Sequence, residues 1–247
     1  MTTGPAPRVE VHESAPDLAT SVAGAFLRAV TVLQDAGEIP QVGLTGGTIA
    51  DAIHREIARL GGDTEVDWSR IDFFWGDERF VAPDSPDRNA LQAREAFLDL
   101  LGVDPARVHE IPSTSEAASV DAAAASYGET VRAAGTGRFH VLMLGVGPDG
   151  HIASLFPGHP QLDVDDRIAV AVTDSPKPPP ERVSLTLPAL NRADEVWFVV
   201  SGADKAEAVG RALAVTPPDV HEIPAAGVRG QGETIWFLDR DAASRVP

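Results

Sequence analysis

The sequence predicts an α/β fold in which helices cover both faces of a mostly parallel sheet. Two observations support this prediction. Strand-like and helix-like segments alternate along the chain, which is typical of doubly wound sheets. Several strand-like segments are also uninterrupted apolar runs, such as residues 141–144 and 195–200. Such runs are typical of strands that a parallel sheet buries on both faces.

Local sequence patterns predict where the individual strands and helices lie. Short apolar or alternating runs predict strands at residues 8–12, 41–44, 71–75, 141–144, 168–173, 183–187, 195–200 and 234–238, the first of them at an edge of the sheet. Apolar side chains at helical spacing predict a helix at residues 17–36. Further helices are expected at residues 49–60, 90–101, 117–134 and 203–213, with a short one near residues 241–245. No internal repeat or low-complexity linker divides the chain, so residues 1–247 are expected to form a single domain.

Composition narrows the possible partners and compartments. The formal net charge of −17 disfavours binding to nucleic acid or to an anionic membrane surface. The chain has no cysteine, which excludes a thiolate zinc site and a cysteine nucleophile. No apolar run is expected to approach the ~20 residues of a membrane span, and the N-terminus lacks the pattern of a signal peptide. We therefore expect a cytoplasmic protein, and the oligomeric state is left open.

The stretch from Phe139 to Gly158 contains the first candidate catalytic residue. A buried strand at residues 141–144 is followed by a glycine-rich turn that ends at His151. Ligands of open α/β sheets bind at the carboxyl ends of the strands. Histidine ordinarily titrates near neutrality, so His151 is the natural general base. The simpler alternative is that His151 only caps a turn. We favour the base because Asp149 stands two residues before it.

A glycine-rich loop follows the strand at residues 41–44. Its residues are Thr45, Gly46, Gly47 and Thr48, and a predicted helix begins directly after them. This order of elements can place backbone N–H groups and a helix N-terminus around a phosphate. The loop matches neither a nucleotide P-loop nor a dinucleotide fingerprint. Taken alone, it is equally consistent with a turn that only reverses the chain.

Further polar groups follow other strands of the predicted sheet. Residues 77–79 and 201–205 would lie at the same carboxyl edge as the glycine loop and His151. Together with a proline-rich loop at residues 176–182, they supply four cations that could hold a phosphate: Arg79, Lys177, Arg182 and Lys205. This set suits a small phosphorylated substrate. The histidines lack metal-site spacing, and no G-x-S-x-G motif supports a serine nucleophile.

Five motifs resemble those of the 6-phosphogluconolactonases, in the same order and spacing from about Val9 to Asp239. They read TGGT, GDERFVAPDSPDRNA, LGVGPDGHIASLFPG, SPKPPPERVSLTLPALN and VSGADKAEAV. The second and third motifs together make the resemblance highly specific. That family shares a superfamily with glucosamine-6-phosphate isomerase (deaminase). The resemblance implies a three-layer α/β/α sandwich with a modified Rossmann-like, mostly parallel sheet.

The resemblance also implies an activity. This is hydrolysis of 6-phospho-D-glucono-1,5-lactone to 6-phospho-D-gluconate, the second step of the oxidative pentose phosphate pathway, with neither cofactor nor metal. By position, His151 would activate water and Asp149 would orient or charge-tune it. The glycine loop (Thr45 to Thr48) and the four cations match positions around the phosphate. Asp77 and Glu78 would be structural.

Two alternatives stay open beside the hydrolase. Isomerases of the superfamily continue DGHIAFNEP and use a glutamate with the histidine, whereas Phe156 stands in that place here. A non-catalytic sugar-phosphate sensor would keep the loop and lose the base, and His151 argues against it. The sequence departs from the lactonase pattern at Ile49 and Ala50, which follow the glycine loop, and at Arg88, where a serine is common. These departures concern loop geometry.

Overall fold

The computed structural model describes residues 6–134, 137–216 and 218–247. Its strands are β1 Arg8–His12, β2 Gln41–Leu44, β3 Asp72–Trp75, β4 Asp77–Arg79, β5 Val141–Leu144, β6 Ala169–Val172, β7 Arg182–Leu185, β8 Glu195–Val200 and β9 Glu233–Asp239. Its helices are α1 Ala15–Asp35, α2 Thr48–Gly61, α3 Asn89–Ala93, α4 Val120–Ala134, α5 Leu187–Leu190 and α6 Ala206–Ala212.

Six strands form the main sheet in the order β1-β9-β8-β5-β2-β3. Every pairing in it is parallel. All four residues of β2, of β3 and of β5 are buried, as expected for strands that are covered on both faces. β1 lies at one edge, as the sequence predicts.

Helices lie on both faces of this sheet because the direction in which successive strands are added across the sheet reverses at β3. Connections from β1 through β2 to β3 run one way across the sheet, and those from β3 to β5, β8 and β9 run the other way. Right-handed crossovers then put α1 and α2 on one face and α4 and α6 on the other. The α/β prediction, with its mostly parallel sheet and three layers, is confirmed.

A separate three-stranded sheet in the order β4-β7-β6 is the main feature that the sequence does not predict. Its pairings are antiparallel, and the register places Arg79 opposite Arg182. From the sequence, residues 77–79 are expected only as polar groups that follow a strand, because three residues are too few to show a period. Their pairing with β7 brings two of the predicted cations to the end of β3.

Several helices differ from their predicted bounds. The predicted helix at residues 90–101 is α3 followed by a wider π-helical turn at Arg94–Leu98. The helix at residues 203–213 begins as a 3-10 turn at Ala203–Lys205 before α6. A 3-10 turn at Ala242–Arg245 replaces the last predicted helix. The short α5 is capped by Thr186, whose hydroxyl accepts the N–H of Ala189 at 3.4 Å.

The longest helix, α1, is apolar enough to qualify as a membrane span by length and composition, with a mean hydropathy of 1.2. The expectation that no apolar segment approaches this length is therefore wrong. α1 contributes seven buried side chains to the core: Leu18, Ala19, Val22, Ala23, Phe26, Leu27 and Val30. Its apolar stripe thus packs inside the protein. The predicted single domain of residues 1–247 includes positions 1–5, 135–136 and 217, which lie outside the described residues, and it stays a prediction.

Candidate active site

A cleft of about 690 Å³ lies at the carboxyl edge of the main sheet. Residues that directly follow β2, β5 and β8 line it, together with β4 and the loop before β7. Except for Asp149, every predicted site residue lies in its wall: Thr45, Gly46, Gly47, Thr48, Arg79, His151, Lys177, Arg182 and Lys205. The sheet therefore brings together groups that are far apart in the sequence.

The glycine loop joins β2 to α2 and leaves no room for side chains. A Cβ atom on Gly46 would lie 1.9 Å from the Oδ1 atom of Asn89. Gly47 precedes α2 with a φ of 99°, a conformation that favours glycine. The first N–H groups of a helix lack intrahelical acceptors. Since Thr48 and Ile49 line the cleft, this end of α2 is suited to an anion.

His151 and Asp149 form a hydrogen-bonded pair. The Nδ1 atom of His151 lies 2.5 Å from Oδ1 of Asp149. Burial disfavours the charged form of Asp149, but the hydrogen bond from His151 and the charges of His151 and Lys177 outweigh it and lower the pKa of Asp149 to about 2. An ionised carboxylate only accepts hydrogen bonds. In the neutral form of the imidazole, Nδ1 therefore carries the proton, and the lone pair is on Nε2.

The imidazole of His151 is fixed from two sides. A Cβ atom on Gly147 would lie 2.0 Å from its Nδ1 and Cε1 atoms, so the backbone of Gly147 is in contact with the ring. The ring of Phe156 packs against it with the centroids 4.7 Å apart. The side chain of His151 stays 15% exposed. Nε2 has no hydrogen-bond partner among the described residues, so it is available to a molecule in the cleft.

Arg182 organises the loop that carries Lys177. Its Nη2 atom donates to the carbonyls of Lys177 and Pro178, and its Nε atom donates to that of Pro179, each at 3.2 Å. Burial lowers the pKa of Arg182 from its ordinary value. The centre of its guanidinium lies 5.9 Å from the ring centroid of Phe156. Arg182 thus links the proline-rich loop to the ring that supports His151.

The other cations differ in how they are held. The Nη1 atom of Arg79 donates to the carbonyl of Asp87 at 2.5 Å and to Oδ1 of Asn89 at 3.0 Å. Lys205 pairs with Asp204, with 2.9 Å between Nζ and Oδ1. Lys205 therefore has a carboxylate partner that a bound anion would have to displace or share.

Four polar residues of the cleft were not assigned to substrate binding from the sequence: Asp77, Asn89, Ser201 and Asp204. The hydroxyl of Ser154 donates to Oδ2 of Asp77 at 2.6 Å, which joins β4 to the segment after His151. Ser201 and Asp204 follow β8 and belong to residues 201–205, which the strand-end rule places at this edge, although neither was given a role from the sequence. No local pattern marks Asn89, which reaches the cleft only through a long-range contact. The departing residue Arg88 is 1% exposed, and its Nη2 atom donates to the carbonyl of Ile111 at 2.7 Å.

Comparison with known proteins identifies relatives over nearly the whole chain. The family described as glucosamine-6-phosphate isomerases/6-phosphogluconolactonase matches residues 13–236. A 6-phosphogluconolactonase of Streptomyces coelicolor is 40% identical, over 98% of this chain and 95% of the relative. The crystal structure of a 6-phosphogluconolactonase from Thermotoga maritima superposes with a TM-score of 0.82 at 27% identity, over 94% of this chain and 99% of that one.

The fold alone does not separate the two activities that the family description names. A monomeric glucosamine-6-phosphate deaminase also superposes with a TM-score of 0.82, at 19% identity, over 96% of this chain and 99% of that chain. Sequence similarity does separate them, since the relative from Streptomyces coelicolor is a 6-phosphogluconolactonase at 40% identity. The resemblance found in the sequence is confirmed. The chain belongs to the glucosamine-6-phosphate isomerase/6-phosphogluconolactonase family, and its sequence places it with the 6-phosphogluconolactonases.

Proposed function

We propose that this enzyme hydrolyses 6-phospho-D-glucono-1,5-lactone to 6-phospho-D-gluconate, the second step of the oxidative pentose phosphate pathway, in the cytoplasm. The observation that carries the proposal is the pair of Asp149 and His151. An ionised carboxylate holds the proton on Nδ1 and leaves Nε2 at a cleft lined by cations and by a glycine loop. A base in the same cleft as four cations and a glycine loop fits a phosphorylated lactone.

The chemistry follows from the position of that lone pair. Nε2 of His151 takes a proton from water, and the resulting hydroxide adds to the C1 carbonyl carbon of the lactone. The bond between C1 and the ring oxygen then breaks. The imidazolium returns its proton to the departing ring oxygen, which becomes the hydroxyl on C5 of the open-chain acid. Asp149 stabilises the imidazolium that exists between these two steps.

We assign the phosphate of the substrate to the glycine loop and the four cations. The glycine loop supplies backbone N–H groups and the end of α2. Arg79, Lys177, Arg182 and Lys205 supply positive charge in a chain whose formal net charge is −17. Such local concentration of cations is what an acidic protein needs to attract an anionic substrate.

Phe156 favours hydrolysis over isomerisation or deamination. Its ring is 1% exposed and packs against the imidazole of His151. It therefore occupies the space beside the base where a second acid would be needed for ring opening or amine chemistry. A purely binding protein is disfavoured by the pair of Asp149 and His151, since a sensor needs no base with a fixed tautomer.

A direct lactonase assay tests the proposal. The purified protein is given the phosphorylated lactone and, in parallel, the unphosphorylated lactone, with spontaneous hydrolysis subtracted. We expect catalysed hydrolysis of the phosphorylated lactone and a much lower kcat/KM for the unphosphorylated one. Equal rates with both would contradict the phosphate site, and no rate above background with either would contradict the proposal.

The phosphate site is tested separately by substitution. Removing a charged donor from a phosphate costs about 1.5–3 kcal/mol. Arg79→Ala and Arg182→Ala are therefore each expected to weaken binding of a phosphorylated competitive inhibitor by roughly 10-fold to 100-fold. The Kd is measured by calorimetry. If neither substitution weakens binding, the phosphate lies elsewhere.

A further inference from the structure

We propose that Asn89 is a positioning residue of the cleft, which fixes the guanidinium of Arg79 against the glycine loop and is itself fixed by buried Glu78. This inference rests on the proposed function only in assuming that the ligand carries a phosphate. Asn89 is 3% exposed and lines the cleft. Its backbone and its side chain contact β4 and the glycine loop.

The carboxylate of Glu78 closes the loop between β4 and α3. Glu78 is completely buried. Its Oε1 atom accepts the backbone N–H groups of Arg79 and Asn89, both at 2.8 Å. Its Oε2 atom accepts the N–H of Ala90, also at 2.8 Å. One side chain therefore fixes both ends of the loop of residues 80–88 and brings the backbone of Asn89 next to that of Arg79.

The amide of Asn89 then joins the side chain of Arg79 to β4. Its Oδ1 atom accepts from Nη1 of Arg79 at 3.0 Å. Its Nδ2 atom donates to the backbone carbonyl of Asp77 at 3.0 Å. The opposite amide orientation would place an N–H group against the guanidinium and a carbonyl against a carbonyl, so these partners set a single orientation.

The side-chain amide of Asn89 lies between Gly46 of the glycine loop and the guanidinium of Arg79. A Cβ atom on Gly46 would lie 1.9 Å from Oδ1 of Asn89 and 2.4 Å from its Cγ atom. The backbone of the glycine loop is thus in direct contact with the side chain that holds Arg79. The distance between the loop and the guanidinium is therefore set by Asn89.

Arg79 keeps unused donors after these contacts are made. Nη1 is occupied by Asn89 and by the carbonyl of Asp87. Nε is buried and has no hydrogen-bond partner among the described residues. Nη2 likewise has none in the described part of the chain. With one corner of the guanidinium fixed, Nη2 can donate to an anion with little further loss of side-chain freedom.

A double-mutant cycle tests whether Asn89 acts through Arg79. Calorimetry measures the Kd of 6-phosphogluconate for the unmodified protein, for Asn89→Ala, for Arg79→Lys and for the double variant. Arg79→Lys keeps the charge but lacks the planar fork that Asn89 holds. In the unmodified background, Asn89→Ala is expected to weaken binding roughly 10-fold, as a lost hydrogen bond to a charged group does. In the Arg79→Lys background we expect less than about a 2-fold effect.

Asn191 offers a matched control outside the cleft. Its side chain also makes hydrogen bonds to the backbone, with Leu187, Gly227 and Arg229 as partners at 2.8–3.0 Å. Asn191→Ala is expected to lower the Tm, as Asn89→Ala does, but to leave the Kd within about 2-fold. If Asn89→Ala fails to fold, Asn89→Leu takes its place in the cycle, since leucine removes the amide while keeping a similar volume.

The outcomes separate this inference from the proposed function. Equal fold-changes in both backgrounds, or an unchanged Kd in Asn89→Ala, would overturn the role of Asn89 and leave the proposed function standing. If the unmodified protein binds inorganic phosphate but not 6-phosphogluconate, the proposed substrate is wrong. The double-mutant cycle is then measured with inorganic phosphate as the ligand. Binding of neither would overturn both.

Discussion

Asp149→Asn isolates the contribution of the carboxylate behind the proposed base. In the structure, Oδ1 of Asp149 accepts from Nδ1 of His151 at 2.5 Å, and Asp149 does not line the cleft. The substitution keeps the shape of the side chain and removes its charge. We expect kcat to fall while KM stays within about 2-fold, because the effect is on the imidazolium in the transition state.

The expected fall in kcat depends on how far the side chain of Asp149 is exposed to solvent. A hydrogen bond to a charged group contributes about 1.5–3 kcal/mol. The side chain of Asp149 is 38% exposed, so solvent screening reduces this to about 1–2 kcal/mol. Each 1.36 kcal/mol corresponds to a factor of ten in rate, so kcat should fall by roughly 10-fold. Steady-state kinetics with the phosphorylated lactone, corrected for spontaneous hydrolysis, measures it.

The same carboxylate has a predicted effect on stability. Its pKa is lowered from 3.8 to about 2 in the folded protein. Its stabilising contribution is therefore present above pH 3.8 and is lost as pH falls through about 2. The difference in unfolding free energy between the unmodified protein and Asp149→Asn should be largest at neutral pH and should shrink over that interval. Chemical denaturation at several pH values measures it.

A second Asp–His pair provides the control. Oδ1 of Asp163 lies 3.0 Å from Nε2 of His221, and neither residue lines the cleft. Asp163→Asn removes the same charge and should leave kcat unchanged. If Asp149→Asn also leaves kcat unchanged, Asp149 does not act on the base and the reasoning is refuted.

Two further substitutions test the packing around the site. Gly147→Ala would place a Cβ atom 2.0 Å from the imidazole of His151, so its kcat should fall by roughly 10²-fold. Gly62→Ala is the control, since its Cβ position has open space around it, and its kcat should not change. Equal kcat values for the two variants would contradict the contact between Gly147 and His151. Tyr127→Phe removes a hydroxyl that accepts the N–H of Trp75 and donates to its carbonyl, both at 2.8 Å, at the outer edge of β3. Denaturation should show a loss of about 2–4 kcal/mol with kinetics unchanged, and a loss below about 0.5 kcal/mol would contradict the role of that hydroxyl in closing the sheet edge.

The parallel sheet could be predicted because its strands are long enough to show their pattern. Apolar runs such as β5 and β8 indicate strands buried on both faces. The small antiparallel sheet could not be predicted in the same way. β4 is three residues long and charged, and only its pairing with β7, about a hundred residues later in the chain, makes it a strand. Tertiary pairing therefore overrides local pattern there.

The residues of the candidate site likewise include some that local sequence predicts and some that only tertiary contacts reveal. Residues in the loops after main-sheet strands, such as Thr45 and His151, were found because the carboxyl edge of a parallel sheet is a general site for ligands. Asn89 was not, since its position depends on buried Glu78 and on contact with Gly46 across the fold. The local sequence around Asn89 contains no trace of either contact. The role of Glu78 likewise became clear only from its three backbone partners.

The kcat of His151→Ala is the measurement that tests the central claim most directly. The substitution removes Nε2, the lone pair that the pairing with Asp149 leaves unprotonated, and it leaves the glycine loop and the four cations in place. With spontaneous hydrolysis subtracted, kcat for the phosphorylated lactone should fall by ~10²–10⁴ while the Kd of 6-phosphogluconate changes little. A kcat equal to that of the unmodified protein would contradict the assignment of His151 as the base.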